Sequence, residues 1–330
     1  MYVRRAAAVA ALLTVVTACT PPGRDAAPSR TPRPGRTTAS GPDRLELLPD
    51  PDRTTAPPTR YQRHRIPVTA TTVRWPVALR IPYGRALTTP PEEGDDTEEY
   101  GTPSLVVTRD GIWVLDPEGR RAVRFDQGGR VTGTVPGLHV DDAIVAFPGG
   151  FLVYGERRVL RVENGRVTGR SDQGIGLNVE RVSAGVGGAV ATFADRYHVA
   201  YLPPLRTVDG APGIPGDNGD HVRFFDRGVD LAVGYGARWD ATLEFVGTDG
   251  APWTAEPADV HVTERSVHLW LDLTDFDDVA TWYVRLGADG RLEASERMPL
   301  EAYPSRVVGP DDRPWLLTAD ERGVTLFRRP

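Results

Sequence analysis

The chain repeats a pattern about every 39 residues, and this period limits its fold more than any other feature. Each repeat starts at a turn that precedes a short apolar run typical of a β-strand. The positions that mark this turn are Gly111, Gly150, Gly188, Gly228, Ser266 and Arg313, in steps of 39, 38, 40, 38 and 47 residues. No amphipathic helical period of useful length interrupts the repeats. A period of this length is typical of propellers and other repeat architectures.

A second turn follows inside most repeats. It occurs in segments 125–133, 162–169, 246–253 and 287–293. Two hairpins per repeat predict one four-stranded antiparallel sheet per repeat. Each such sheet exposes an apolar face that only a neighbouring sheet can cover, so the sheets are expected to close into a ring. The sequence therefore predicts an all-β fold, a β-propeller, for residues 63–330.

The number of blades depends on how the ring closes. The last repeat reaches Phe327 with too little chain left for a fourth strand. We expect a strand within 66–81 to complete it, which gives six blades. Seven is the alternative count, because the tripeptide 73–75 lies 38 residues before the Trp113 tripeptide and could belong to an additional blade. The acidic segment 90–101 would then project from the ring as a loop.

Two of the repeats carry a family resemblance. The strings VVTRDGIWVLD (106–116) and VVGPDDRPWLLT (307–318) resemble the repeats of NHL-type and streptogramin-lyase-type propellers, which place an Asp-Gly turn shortly before a tryptophan-bearing strand. The resemblance implies the propeller fold rather than an activity, because propellers host many unrelated functions. Lyases of that kind use a histidine and a metal on one ring face. Those positions do not map onto this sequence, so the resemblance assigns no catalytic residue.

The N-terminus has the three-part layout of a secretory signal. Two arginines precede an apolar run over 6–16, and the run ends in Val16-Thr17-Ala18-Cys19. These last four residues resemble the lipobox of bacterial lipoproteins, in which the cysteine receives a diacylglycerol and the signal peptide is cut just before it. An ordinary signal peptide cut after Ala18, or a short membrane anchor, is the alternative. A bilayer-spanning helix needs about 20 apolar residues, more than this run provides.

We therefore divide the chain into a signal peptide (1–18), a tether (19–62) and a propeller domain (63–330). The tether is rich in Pro, Arg, Thr, Ser and Asp and has too few apolar side chains to fold, so we expect it to be disordered. The expected location is the cell membrane, with the protein lipid-anchored through Cys19 and facing the extracytoplasmic side.

Composition excludes several kinds of chemistry. The chain contains no lysine, so all 39 basic residues are arginine, and mechanisms that need a lysine nucleophile or phosphate-binding lysine are excluded. With Cys19 lipidated, no thiol remains for disulfides or cysteine catalysis. The net charge of −6 argues against a nucleic-acid partner, which requires a basic face.

Tryptophans are the first candidates for a ligand-binding role. Trp113, Trp270 and Trp315 share one place in the repeat and are expected to pack between blades. The less regular Trp239, Trp253 and Trp282 are candidates for stacking surfaces in a ligand pocket. The alternative is that these three also belong to the core.

Metal ligands are the second candidates. Asp217, Asn218 and Asp220 offer oxygen ligands at spacings that suit calcium, although the full calcium-loop pattern is missing and a plain turn also explains them. His261 and His268 flank a turn and are expected to face each other across a hairpin. Without a third ligand in sight, this pair does not predict a zinc site.

No catalytic signature emerges from the sequence. We therefore expect an anchored propeller that binds a protein or a cell-envelope ligand, with the membrane as its second partner, no catalytic residues and no required cofactor. The alternative is a metal-assisted lyase or a glycan-active enzyme whose site lies at the central mouth of the ring, where residues from several blades meet. A purely structural spacer is a third option.

Overall fold

The computed structural model describes residues 60–69, 71–84, 86–89, 103–139, 142–147, 149–155, 158–171, 179–185, 188–193, 198–202, 206–209, 214–215, 221–227, 230–235, 238–275, 278–299 and 305–330. They all belong to one compact unit, Leu45–Pro330. Every regular element in these ranges is a β-strand, which confirms the all-β prediction. The segment 90–101 lies outside the described residues.

Small antiparallel sheets follow one another along the first half of this unit. Sheet I contains β3 (Leu105–Thr108), β4 (Gly111–Asp116), β5 (Arg121–Phe125) and β6 (Val131–Pro136). Sheet II contains β7 (Ala143–Phe147), β8 (Gly150–Gly155), β9 (Arg158–Glu163) and β10 (Arg166–Ser171). Sheet III contains β11 (Val179–Gly185), β12 (Gly188–Phe193), β13 (His198–Leu202) and β14 (Arg206–Asp209).

The second half continues the pattern with two additions from the start of the domain, β1 (Tyr61–Pro67) and β2 (Val77–Pro82). Sheet IV contains β15 (Ile214–Pro215), β16 (His221–Arg227), β17 (Asp230–Tyr235) and β18 (Trp239–Val246), with β1 beside β18. Sheet V contains β19 (Pro252–Val262), β20 (Ser266–Thr274), β21 (Val279–Gly287) and β22 (Leu292–Met298). Sheet VI contains β23 (Ser305–Val308), β24 (Pro314–Asp320), β25 (Gly323–Arg328) and β2.

Sheets IV and V are joined where β18 meets β19. Only two residue pairs connect these strands, after which β19 pairs with β20 along its remaining length. The predicted turn at 246–253 therefore links two sheets, whereas the sequence analysis placed it between two strands of one blade. The reason is the length of β19, whose 11 residues allow it to leave one sheet and enter the next.

A parallel strand supplements sheet IV. β1 runs parallel to β18 over seven residue pairs, from Tyr61 beside Asp240 to Pro67 beside Val246. Ile66 of this strand is buried in the apolar cluster between sheets IV and V. Among the described residues, the first strand thus starts at Tyr61, inside the last residues of the predicted tether.

Apolar clusters fill the spaces between neighbouring sheets. Between sheets I and II, Trp113 packs on Phe151 with ring centroids 4.8 Å apart. A larger cluster between sheets IV and V includes Phe245 and Leu269. Where the side chains are described, between sheets I and II, IV and V, V and VI, and VI and I, each sheet covers the face of the next one, as the repeat pattern predicts.

The two ends of the domain meet in sheet VI. β2 pairs with β25, so a strand from the start of the domain completes the last sheet, which confirms the predicted closure. Leu105 of sheet I and Leu326 of sheet VI share one buried cluster, and β23 contacts β3. Val73–Trp75 is not part of a strand, so the segment on which the seven-blade alternative depended forms no sheet.

Closure by β2 has a measurable energetic consequence. Ile81 is 2% exposed within the cluster between sheets VI and I, whereas Val77 on the same strand is 43% exposed. Ile81→Ala is expected to lower the free energy of unfolding by about 2–5 kcal/mol, because it removes buried methyl groups and leaves a cavity. The matched substitution Val77→Ala should change it by about 0.5 kcal/mol or less. Urea denaturation measures both, and equal effects would contradict the closure.

Candidate functional site

The three tryptophans predicted to line a ligand pocket lie together between sheets IV and V. Trp239, Trp253 and Trp282 are 1%, 7% and 2% exposed. Nε1 of Trp239 donates to the carbonyl of Ala288 at 3.2 Å, and Nε1 of Trp282 donates to Oγ of Ser295 at 2.8 Å. In this structure they stabilise the packing of two sheets, and their role in ligand binding stays a prediction.

The regular tryptophans occupy the spaces between sheets, as predicted. Trp113 clusters with Phe151 of sheet II, Trp270 with Leu316 of sheet VI, and Trp315 with Leu105 of sheet I. Each of them faces the sheet that follows its own. The repeat position therefore predicts packing correctly.

The predicted metal ligands Asp217, Asn218 and Asp220 lie outside the described residues, and so does Cys19. Within the described ranges, no group of three or more His, Cys, Asp or Glu side chains is placed to hold a metal ion. No helix in that part of the chain is long and apolar enough to cross a membrane.

The two faces of sheet V differ in chemistry. Along β20, Val267 and Leu269 point into the apolar cluster shared with sheet IV. The alternating residues Ser266, His268 and Trp270 lie on the opposite face, because successive side chains of a strand point to opposite sides. All three are buried, so the space between sheets V and VI contains polar groups that must be satisfied by partners.

Asp312 supplies the central acceptor of this polar interface. It lies in the turn between β23 and β24 with φ = 63°, a region uncommon for residues other than glycine. The turns at 247–251 and 287–291 are closed by the same two backbone hydrogen bonds as the turn at 309–313. At the position of Asp312 they have Gly250 and Gly290, with φ of 87° and 82°. A left-handed residue with a side chain costs about 1 kcal/mol or more. The contacts of the carboxylate must therefore offset this backbone cost.

Four side chains of sheet V donate to the Asp312 carboxylate. Thr263 Oγ1 lies 2.7 Å from Oδ1, Ser266 Oγ lies 2.9 and 3.0 Å from the two oxygens, and His268 Nε2 lies 3.1 Å from Oδ1. Arg285 forms an ion pair with Oδ2. Burial opposes ionisation, but the hydrogen bonds from His268 and Thr263 outweigh it and hold the pKa of Asp312 well below its usual range.

His268 is fully buried and bonded through both ring nitrogens. Nδ1 lies 2.7 Å from the hydroxyl of Tyr283. Because ionised Asp312 only accepts, Nε2 carries the ring proton and the Tyr283 hydroxyl donates to Nδ1. Burial lowers the pKa of His268 and raises that of Tyr283, so both groups are neutral at pH 7. We call Thr263, Ser266, His268, Tyr283, Arg285 and Asp312 the Asp312 cluster.

The Asp312 cluster contains Ser, His and Asp but lacks the geometry of a hydrolase triad. In a triad the serine and the aspartate contact opposite nitrogens of the histidine. Here Ser266 Oγ and Asp312 both contact Nε2, at 2.7 and 3.1 Å, and tyrosine occupies Nδ1. Ser266 is also buried, so a substrate cannot reach it. The arrangement joins two sheets and does not activate a nucleophile.

Sequence reasoning found part of this cluster. His261 and His268 are cross-strand partners, as predicted. Asp312 was missed as a partner because it lies 44 residues from His268, in the next sheet. The sequence contained one sign that Asp312 is unusual. The turn GPDDR at 309–313 has aspartate at the position where the turns GTDGA at 247–251 and GADGR at 287–291 have glycine.

A second polar group lies on β19 and β23, the first strands of sheets V and VI. His261 Nε2 donates to the carbonyl of Arg306 at 2.8 Å and lies 3.7 Å from Oδ2 of Asp259. The side chains of Asp259 and His261 are each 26% exposed. A β-bulge between Pro257 and Asp259 shifts the register of β19, which re-aims the residues that follow it. We call Asp259, His261, Trp270 and Arg306 the His261 site.

The charge of Asp259 also affects the pKa of Tyr154, which lies in another sheet. Burial and the Asp259 carboxylate raise the pKa of Tyr154 to about 12, so its hydroxyl keeps its proton. Tyr154 belongs to β8 in sheet II, whereas Asp259 belongs to β19 in sheet V. The charge of Asp259 thus contributes to the raised pKa of Tyr154 although their sheets are not consecutive.

Comparison with known proteins yields similarities of fold. No protein-family model matches the chain, and no curated protein matches it. Among solved structures, a putative exported protein from Bacteroides fragilis is 10% identical, with 82% of this chain and 99% of that chain covered and a TM-score of 0.45. The WD40 β-propeller domain of Doa1 is 11% identical, with 78% and 97% covered and a TM-score of 0.34. BamB from Moraxella catarrhalis is 10% identical, with 70% and 85% covered and a TM-score of 0.29.

These similarities concern fold alone, because the identities are far below the level at which function is shared. The class follows from the sheets themselves. Consecutive four-stranded antiparallel sheets that cover one another, with a last sheet completed from the start of the domain, define a β-propeller.

Removing the charge of Asp312 tests the role of the Asp312 cluster. Asp312→Asn keeps the shape and tolerates the left-handed backbone, but it leaves Arg285 without its buried partner. We expect a loss of about 3–5 kcal/mol in the free energy of unfolding. The neighbouring Asp311, which pairs at the surface with Arg328, is the matched control, and Asp311→Asn should cost about 1 kcal/mol or less. Equal losses in chemical denaturation would refute this assignment.

The buried histidine predicts a pH dependence of stability. Folding lowers the pKa of His268 below its ordinary value of about 6.5, so the unfolded chain binds this proton more readily. The contribution of neutral His268 to the free energy of unfolding is fully present above the ordinary pKa of about 6.5. It is lost as the pH falls through and below that pKa. Comparing denaturation curves at pH 8 and pH 5, we expect His268→Gln to lose less stability on acidification than the unsubstituted protein. An equal or larger loss in the variant is the contrary result.

Proposed function

We propose that this protein is a lipid-anchored extracytoplasmic propeller that binds a protein or a cell-envelope ligand. The observation that carries the proposal is the His261 site, whose partly exposed Asp259 and His261 lie on the first strand of sheet V and contact that of sheet VI. In propellers the first strands surround the central axis, where ligands are bound by residues from several blades. Ser266 and His268 are within hydrogen-bond distance, but both are buried and lack triad geometry, which favours binding over catalysis.

We propose six blades for the ring. In support, the first strands contact one another in the series β3, β7, β11, β15, β19 and β23, and β23 returns to contact β3. The NHL-type and streptogramin-lyase-type character of the repeats stays a prediction.

The anchor is proposed from the sequence. The apolar run and the Val16-Thr17-Ala18-Cys19 motif support lipidation at Cys19, and residues 19–62 support a flexible tether. Together they would hold the propeller outside the membrane and at a distance from it. In this proposal the membrane is one partner and the ligand of the propeller is the other.

A crosslinked pull-down from the protein's own membranes tests this function. We expect the full chain to sediment with membranes and to capture a stoichiometric partner, and Cys19→Ala to be released and to lose partners that depend on membrane location. Capture of nothing by the anchored protein would overturn the protein-binding reading. An unchanged membrane fraction for Cys19→Ala would overturn the lipid anchor.

A further inference from the structure

The chain from β1 to β2 follows the outer strands of three consecutive sheets. β1 forms the edge of sheet IV beside β18, and β2 forms the edge of sheet VI beside β25. Between them, Thr72 forms a β-bridge with Arg297 of β22, the edge strand of sheet V. We call residues 60–82 the belt. In each of these sheets the belt lies at the edge opposite the first strand.

The belt is basic, although the chain as a whole is acidic. The net charge of the whole chain is −6, but residues 60–82 contain neither aspartate nor glutamate. Their charged side chains are Arg60, Arg63, Arg65, Arg74 and Arg80. Charges on distant parts of the domain act weakly on the belt, because the Debye length is about 8 Å at physiological ionic strength. The belt therefore favours an anionic partner.

One face of β1 fixes the strand to the domain. His64 Nε2 donates to the carbonyl of Gly290 at 2.9 Å, in the turn between β21 and β22. Ile66 is 1% exposed within the apolar cluster between sheets IV and V. These contacts use the side chains at even positions, so the odd positions point to the other side.

The other face of β1 points into solvent. Tyr61, Arg63 and Arg65 lie on this face, and all three are exposed. Tyr61 is 58% exposed, and the side chain of Arg63 is 66% exposed. Arg60, directly before the strand, is exposed as well. We call these four residues the β1 face.

Contacts within the domain neutralise only part of this positive charge. Arg63 forms an ion pair with Glu244 of β18, and Asp240 of β18 lies beside Tyr61 in the register. The other two arginines of the β1 face form no ion pair with the described residues. Arg238, exposed just before β18, adds a further positive charge. Four arginines therefore surround two carboxylates at this edge.

The position of β1 along the chain selects among anionic partners. About 40 residues separate Cys19 from Tyr61, and a flexible chain of that length spans roughly 35 Å on average. With Cys19 in the membrane, as proposed above, the lipid headgroups stay within reach of the β1 face at a high effective concentration. Tyr61 suits such a surface too, because tyrosine rings are enriched where membrane meets water.

We propose that the β1 face binds the headgroups of an anionic lipid bilayer. This inference deepens the proposed function and rests on it, because the lipid anchor keeps the bilayer within reach. Arg60 and Arg65 pair with lipid phosphates, and the exposed ring of Tyr61 lies among the headgroups. Docking at this edge leaves the first strands of the sheets, at the opposite edge, to another partner.

Co-sedimentation of the Cys19→Ala chain with vesicles tests the proposal without the anchor. The probes are vesicles of phosphatidylcholine alone and of an equal mixture of phosphatidylcholine and phosphatidylglycerol. We expect the mixed vesicles to bind the chain more tightly, and added salt to remove this difference. Arg60→Gln together with Arg65→Gln should weaken binding to the mixed vesicles by about 25-fold, since each arginine near an anionic surface contributes about fivefold.

A matched pair of substitutions controls for net charge. Arg109→Gln together with Arg166→Gln changes the charge equally, and both arginines are exposed without an ion pair among the described residues, but they lie in sheets I and II. This variant should bind the mixed vesicles as the Cys19→Ala chain does. All four arginines are surface residues without ion-pair partners, so neither variant is expected to lose stability.

Three results would overturn the proposal. The first is equal binding to both kinds of vesicle, which the apolar run 6–16 alone would produce, or no binding to either. The second is an equal loss of binding in the control pair. The third is tighter binding to soluble polyglutamate than to mixed vesicles, lost on the Arg60 and Arg65 substitutions, which would assign the β1 face to an acidic peptide. Salt-resistant retention of Cys19→Ala on cell membranes speaks against the anchor instead, so the two failures are distinguishable.

Discussion

The fold depends on the burial of both faces of every sheet. A four-stranded sheet of about six-residue strands has two apolar faces and no core of its own, so each must be covered by another sheet of the same chain. An open series would leave the first and last faces in water. Pairing of β2 with β25 avoids this, because it completes sheet VI with a strand from the start of the domain and lets that sheet cover sheet I. One strand pairing thus determines whether the other interfaces can form together.

The interface between sheets V and VI is built differently from the one between sheets IV and V. The opposite face of sheet V is closed by aliphatic and aromatic residues, but this one is closed around ionised Asp312. An apolar interface tolerates small shifts, whereas the donors of Thr263, Ser266 and His268 reach the carboxylate only in one relative placement of the two sheets. The cluster therefore adds specificity of docking to this interface, and the left-handed backbone of Asp312 is the local cost of that specificity.

Sequence reasoning predicted the local parts of this structure and one long-range pairing, that of an early strand with the last sheet, but it missed other long-range contacts. The strands and first turns followed from alternation and turn residues, and the shortage of chain after Phe327 predicted that an early strand would complete the last sheet. The parallel pairing of β1 with β18 had no local signal, because the polar sequence YQRHR is as compatible with a tether as with an edge strand. The Asp312 cluster was likewise hidden, since the hairpin predicts that His261 faces His268 but nothing local predicts an acceptor from the next sheet.

The same interface contains a buried polar cluster and a partly exposed histidine, and the two differ in how their ring nitrogens are paired. His268 has both ring nitrogens paired within the chain and is fully buried, so it has no capacity left for a ligand. His261, seven residues earlier on the neighbouring strand, bonds through one nitrogen and stays 26% exposed. The β-bulge of β19 contributes to this difference, because the register shift turns Asp259 towards His261 at the first strand of the sheet. The Asp312 cluster can thus hold the two sheets in place, while His261 keeps part of its side chain at the surface.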